Sequence, residues 1–306
     1  MERWREPAFV AEAQTWIDEQ LAALGLTRTG EVEQPHVTAW STVMRVPTDS
    51  SAVWFKANEE AMAHEAVVLE LVAGRSDGRV PPPLAHDPRT GWMLLADAGP
   101  RLRDVIADER SLERWHDVLA AYARVQIACE DDVDALLALG LPDCRLHTLP
   151  GSYAALLVGL TDADPRLPGP EEVRDLCDRL GAFGIRETVQ HDDLHDGQVF
   201  LGTGVHQVLD WGDACVSHPF FTLAVTLEGV ISWGVDDEED SEDLEPHLTA
   251  YLSPYADHYG RDLDELREVA RLAMRLGWVC RAVNGHLPQD PGSTHTRLKM
   301  FLDGKP

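Results

Sequence analysis

Basic residues are scarce in this 306-residue chain: 26 Lys and Arg stand against 53 Asp and Glu, a formal net charge of −27. Nucleic acids and anionic membranes are held by Lys and Arg clustered on phosphate, so neither is an expected partner. Apolar runs are short as well, and none reaches the roughly eighteen residues that a membrane-spanning helix requires. The N-terminal stretch MERWREPAFVAEAQTW lacks the basic, apolar and small-residue order of a secretory signal. The five cysteines (Cys129, Cys144, Cys177, Cys215 and Cys280) are odd in number, widely spaced and never in a CxxC pair. That usage implies free thiols in a reducing compartment, with neither a disulfide framework nor a zinc site. Together these absences predict a soluble, cytoplasmic protein. The acidic balance serves solubility, and it also attracts cationic ligands.

What is present changes character along the chain. Residues 8–24 place Phe9, Ala13, Trp16, Ile17, Leu21 and Leu24 on one helical face, with Gly25 as the stop. Three short segments rich in β-branched and aromatic residues follow, at 31–37, 41–46 and 52–57, as an antiparallel meander. A helix is expected over 60–73, then strands ending at His86 and over Trp92–Ala96. Beyond Gly99-Pro100 the pattern is helical, over 102–107, 112–139, 171–183, 219–232, 244–259 and 263–284. Within it, strands at 198–201 and 207–209 flank Gly202-Thr203-Gly204 as a hairpin. The expectation is an α+β, bilobal chain: a β-rich lobe over residues 1–97 and a larger, mainly helical lobe over 98–306.

The densest polar cluster is Gln190-His191-Asp192-Asp193-Leu194-His195-Asp196, set between the apolar Thr188-Val189 and Val199-Phe200-Leu201. Carboxylates on a loop between packed strands are costly unless they bind something. The hairpin then returns to Asp210-Trp211-Gly212-Asp213, which is expected to bring Asp210 back toward Asp193 and Gln198. Phosphoryl transfer needs such a set: one carboxylate to orient an attacking hydroxyl, and other oxygens to hold Mg²⁺ on a nucleotide triphosphate. In the first lobe, Lys56 is a single ammonium in the apolar strand Val53-Trp54-Phe55-Lys56-Ala57, and Glu65 on the next helix is its natural partner, with Glu70 second.

His191-Asp192-Asp193-Leu194-His195-Asp196-Gly197-Gln198 followed by Asp210-Trp211-Gly212-Asp213-Ala214 resembles the H-G-D-L-H-x-G-N…D-W-x-D-A signature of aminoglycoside phosphotransferases and choline-kinase-like enzymes. The likeness extends over residues 30–235. It implies a protein-kinase-like fold and a kinase that uses ATP (or GTP) and Mg²⁺ on a small-molecule hydroxyl. By the same resemblance Asp193 is the catalytic carboxylate, Gln198 and Asp210 are the metal ligands, and Lys56 held by Glu65 touches the phosphates. Leu95 and Ala96 fall where the family's backbone meets the adenine. Ser41 and Thr42 lie at the turn that replaces a glycine-rich phosphate loop, since no glycine occurs between Glu31 and Ala73. Asp192, Asp213 and Trp233 are candidates for the acceptor pocket; the acidic balance and Asp192 favour a cationic amino-sugar or aminoglycoside, with sugars, choline-like alcohols and macrolides also open.

Two motif positions depart from the family pattern: Gln198 stands for Asn and Asp192 for Gly. With the missing glycines they motivate an alternative, a degenerate kinase-like protein that binds nucleotide or ligand without phosphoryl transfer. His195 is expected to organise the loop by hydrogen bonding.

Overall fold

The computed structural model describes residues 2–202, 204–288 and 290–303. The chain forms two compact units, one of Met1–Gly99 with Phe200–Gly212, the other of Pro100–Val199 with Asp213–Pro306.

The first unit is built on a five-stranded antiparallel sheet in the order β1-β2-β3-β5-β4. Its strands are β1 (Glu33–Val37), β2 (Ser41–Val46), β3 (Val53–Asn58), β4 (Ala85–Asp87) and β5 (Trp92–Ala96). The helix α1 (Pro7–Ala23) turns Ala13, Ile17 and Leu21, spaced by four, onto the sheet. There they join Met44, Val46, Val53, Phe55, Ala57, Trp92 and Leu94 in one core. Phe55 meets Trp16 and Trp92 edge-on at ring separations of 5.7 and 5.5 Å, pairs that each add about 0.5–1.5 kcal/mol beyond area burial. Strand alternation sends Val53, Phe55 and Ala57 to this core, so Lys56 and Asn58 face the other side of the sheet. The helix there is α2 (Glu65–Ala73), entered through a 3₁₀ turn at Glu60–Met62; a single helix over 60–73 was expected.

The hairpin of Val199–Leu201 and His206–Val208 belongs, from Phe200 on, to this first unit, not to the helical lobe as expected. Local bonds explain why. The Val208 amide donates to the Arg79 carbonyl at 2.8 Å, and Gln207 Nε2 to the Gly78 carbonyl at 3.3 Å. Thr203, in the expected turn, lies outside the described residues.

The second unit carries α3 (Leu102–Glu109), α4 (Arg114–Ala128), α5 (Val133–Ala138), α6 (Leu149–Gly159), α7 (Pro170–Gly181), α8 (Glu245–Tyr259), α9 (Leu263–Asn284) and α10 (Pro291–Asp303). The most extensive helix contacts are α4 on α8 and α9 on α10. The helix expected over 112–139 is interrupted at Cys129 by a 3₁₀ turn, Glu130–Asp132. The cause is tertiary: the buried Glu130 carboxylate is held by Tyr259 Oη at 2.6 Å and Arg186 Nη1 at 3.3 Å. The segment 219–232 is not an α-helix but a 3₁₀ turn, a π-helical turn and another 3₁₀ turn.

Two strands, Thr188–Gln190 and Cys215–Ser217, pair antiparallel in this unit and bracket the polar cluster of the sequence. Gln126 of α4 fixes the first of them. Its Nε2 donates to the Val189 and Pro219 carbonyls at 3.1 and 3.3 Å, while its own carbonyl accepts from Thr188 Oγ1 at 2.7 Å. Among the described residues no helix is long and apolar enough to cross a membrane.

Candidate active site

In the first unit three sequence-predicted residues meet. Lys56 Nζ lies 2.8 and 2.7 Å from the two Glu65 carboxylate oxygens and also pairs with Asp210. Glu65, fully buried at the first turn of α2, further accepts from Asn58 Nδ2 at 2.6 Å and the Trp211 amide at 3.1 Å. Asn58 is two residues from Lys56 on the same face of β3, which is why both reach one carboxylate. Burial opposes the Lys56 ammonium, but the carboxylates of Asp210 and Glu65 outweigh it and hold its pKa above the usual lysine value. Asp210 keeps 45% of its side chain exposed. Glu70 is paired instead with His86, at 3.3 Å.

Ser41 and Thr42 open β2 and are buried. Thr42 Oγ1 is committed within the sheet, donating to the His36 carbonyl at 3.0 Å and accepting from Gln34 Nε2 at 2.9 Å. Ser41 Oγ sits 3.3 Å from Thr38 Oγ1. Leu95 and Ala96 end β5, opposite Trp54 and Val53 of β3.

In the second unit the cluster 191–198 is a loop braced along its length. The His191 amide donates to Tyr122 Oη at 2.8 Å, and Thr226 Oγ1 donates to the Leu194 carbonyl at 2.8 Å. Arg103 holds the Asp196 carboxylate at 2.7 Å, and His195 Nδ1 accepts from the Gly197 amide at 3.0 Å, the organising role expected of that histidine. Asp193 is 29% exposed at its side chain and Gln198 is half-buried. Asp192 has φ 63°, a left-handed conformation that costs a non-glycine residue about 1–2 kcal/mol. Glycine, which the family pattern has at this position, adopts that conformation without the cost. Asp210 has a similar φ of 66°.

Two residues of α9 complete the cluster of this unit, and neither was singled out in the sequence. The Arg281 guanidinium, buried, places Nη2 2.9 Å from Asp193 Oδ1 and 3.3 Å from Asp213 Oδ2, with Nη1 3.6 Å from Asp192 Oδ2. Asn284 Nδ2 donates to Asp192 Oδ2 at 2.8 Å and to the Asp213 carbonyl at 2.7 Å. The available signal was one arginine inside the apolar run Trp278-Val279-Cys280-Arg281-Ala282-Val283. Replacing Arg281 with Met leaves the Asp193 and Asp213 carboxylates beside the buried Asp192 without their cation, so a loss of about 3–5 kcal/mol is expected at neutral pH. Urea unfolding should show that deficit shrinking in acid, where the carboxyls are protonated.

Asp192, expected to face an acceptor, is 1% exposed, and its oxygens are committed to Gln190 Nε2 at 3.1 Å, to Asn284 and to Arg281. Burial pushes its pKa up to about 7, against the opposing effects of Arg281 and Asn284. An acid that binds its proton more tightly when folded favours folding at low pH, and that contribution fades as pH rises from about 4 through about 7. Asp192→Asn should therefore gain stability relative to the parent across that window, read as a growing difference in melting temperature. Asp213 is 25% exposed and shares Arg281. Trp233, 37% exposed, ends a 3₁₀ turn. In the acidic run beyond it, Asp236 pairs with Arg110.

A β3 lysine held by a helix glutamate, and a loop carboxylate preceded by a buried histidine, define the protein-kinase-like class. Residues 36–269 match the phosphotransferase enzyme family (APH), and the chain belongs to that family of small-molecule kinases. No curated protein sequence matches it. Among solved structures, an ethanolamine kinase of Plasmodium vivax aligns at TM-score 0.63 and 11% identity, over 92% of this chain and 83% of that one. The GDP complex of aminoglycoside 2′-phosphotransferase-IIIa aligns at 0.60 and 12%, over 95% and 98%. A choline/ethanolamine kinase family protein from Mesorhizobium loti aligns at 0.55 and 16%, over 95% of both. The chain is accordingly a phosphotransferase of that family.

Proposed function

We propose that the protein transfers the γ-phosphoryl group of ATP (or GTP) to a hydroxyl of a small molecule, with Mg²⁺. The observation that carries this is the buried Lys56–Glu65 pair with Asp210, a cation kept charged where nothing but an anionic ligand or its two carboxylates would need it. Lys56 would meet the nucleotide phosphates, with Glu65 and Asn58 fixing its direction. By the resemblance Asp210 and the Gln198 amide would each offer a hard oxygen donor of the kind Mg²⁺ prefers. The ion, when bound, neutralises charge on the transferring phosphates. Asp193 would orient the acceptor hydroxyl and take its proton as the oxygen–phosphorus bond forms and the bond to the leaving nucleoside diphosphate breaks.

The acceptor in this reading is an amino-sugar or amino alcohol. Asp193 and Asp213 are both partly exposed and share one guanidinium, which leaves an acidic surface suited to an ammonium. An ADP-release screen across aminoglycosides, amino alcohols and neutral sugars tests it. Turnover confined to neutral sugars would contradict the acceptor class while leaving the transfer chemistry standing. A second reading, nucleotide binding without transfer, is favoured by Arg281 seated on Asp193 and by Gln198 at the Asn position. Tight Mg²⁺-dependent ATP binding with no turnover under any acceptor would select it.

A further inference from the structure

Cysteine spacing argued against a metal site, yet folding brings three of the five thiols together. The Sγ atoms of Cys144, Cys215 and Cys280 all lie within 4.8 Å of one another, and all three residues are buried. They come from separate elements. Cys215 begins the strand Cys215–Ser217, Cys280 sits on α9, and the Cys144 amide is tied to the Val216 carbonyl at 2.9 Å. A further oxygen lies beside two of them: Gln190 Oε1, 3.2 Å from Cys215 Sγ and 3.8 Å from Cys280 Sγ, which also accepts from Ser217 Oγ at 2.8 Å.

A tetrahedral site with metal–sulfur bonds near 2.3 Å and a metal–oxygen bond near 2.1 Å has S···S edges of about 3.8 Å and S···O edges of about 3.6 Å. The Gln190 distances straddle the second value, and the thiols need draw in little to reach the first. From this geometry we infer a buried binding site for a borderline-soft divalent cation of the zinc type, with Cys144, Cys215 and Cys280 as thiolate ligands and Gln190 Oε1 as the fourth donor. On binding, each thiol releases its proton to solvent as its sulfur takes up the metal, so affinity rises with pH.

The position gives the site a route to the chemistry above it. Cys280 immediately precedes Arg281, Cys215 lies two residues after Asp213, and Gln190 lies two before Asp192 while its Nε2 donates to Asp192 Oδ1 at 3.1 Å. A cation here would be anchored to the backbone of every member of the ion cluster on Asp193. The inference does not depend on the phosphoryl-transfer reading.

Co²⁺ is the probe, because its visible d–d bands and near-ultraviolet thiolate charge-transfer band report tetrahedral sulfur ligation. The reduced, metal-free full chain should bind one equivalent with both bands, and Zn²⁺ should then displace it. Cys280→Ser and Cys144→Ser should lose the bands, while Cys177→Ser, altering a thiol outside the cluster, should keep them. X-ray absorption of the Co²⁺-loaded wild-type chain needs no variant and should count three sulfurs with one lighter donor. No thiolate band at saturating Co²⁺, bands that survive in Cys280→Ser, or fewer than three sulfur ligands would overturn the inference.

Discussion

Asp193→Asn is expected to slow phosphoryl transfer by about 10²–10⁴-fold, the usual contribution of a positioned acid–base group, with nucleotide affinity essentially unchanged. The amide keeps the size of the carboxylate and an oxygen to accept from Arg281 Nη2, now at 2.9 Å from Asp193 Oδ1. It cannot take a proton from the acceptor hydroxyl. Lys56, Glu65 and Asp210 are untouched, so a fluorescent nucleotide analogue should bind as before. Single-turnover kinetics separates the steps: the loss should appear in the chemical step and not in nucleotide binding. A variant that turns over at near-parent rates would remove Asp193 from the reaction.

Lys56→Met should act on both stability and binding. The methionine matches the length of the stem, but Glu65 then keeps a fully buried carboxylate with Asn58 and the Trp211 amide as its donors among the described residues. Removing one partner of a buried ion pair costs about 3–5 kcal/mol, because the remaining charge stays desolvated. The double variant Lys56→Met/Glu65→Leu removes both charges and should recover much of that loss, yet it should not recover nucleotide binding. Urea unfolding and nucleotide titration of the two variants therefore give opposite patterns. Recovery of both together would mean that Lys56 acts only through stability.

The clusters of the two units differ in how legible they were. Lys56 was readable because it is an isolated ammonium in an apolar strand, and its partner followed at helical distance in the next element. The strands 41–46 and 92–96 and the helix 263–284 were placed at their observed bounds, since each combines a clear period with turn or cap residues. Asp262, for instance, caps α9 by accepting from the Asp264 amide at 2.8 Å. The helix α6 was not foreseen. Its sequence LPGSYAALLVG is apolar almost throughout and offers no stripe to read. The break at Cys129 was equally hidden, because Arg186 and Tyr259 impose it from far along the chain.

Arg281 and Asn284 illustrate the same limit at the active site. Each lies some seventy or more residues from the aspartates it holds, and nothing local marks a helix arginine as the counter-ion of a loop. Their presence revises the roles inferred from the loop alone. Asp192 is a buried brace in a left-handed turn, and Asp193 and Asp213 are the partly exposed acids.

Transfer from nucleotide to an alcohol with Asp193 as the orienting base has a direct spectroscopic signature. Phosphorus NMR of the protein with Mg²⁺-ATP and an acceptor found in the screen tests it directly. A phosphomonoester resonance should grow as the γ-phosphate resonance falls and ADP appears, and Asp193→Asn should leave the spectrum unchanged over the same interval. Formation of the ester at equal rates by parent and variant, or release of inorganic phosphate alone, would contradict the account.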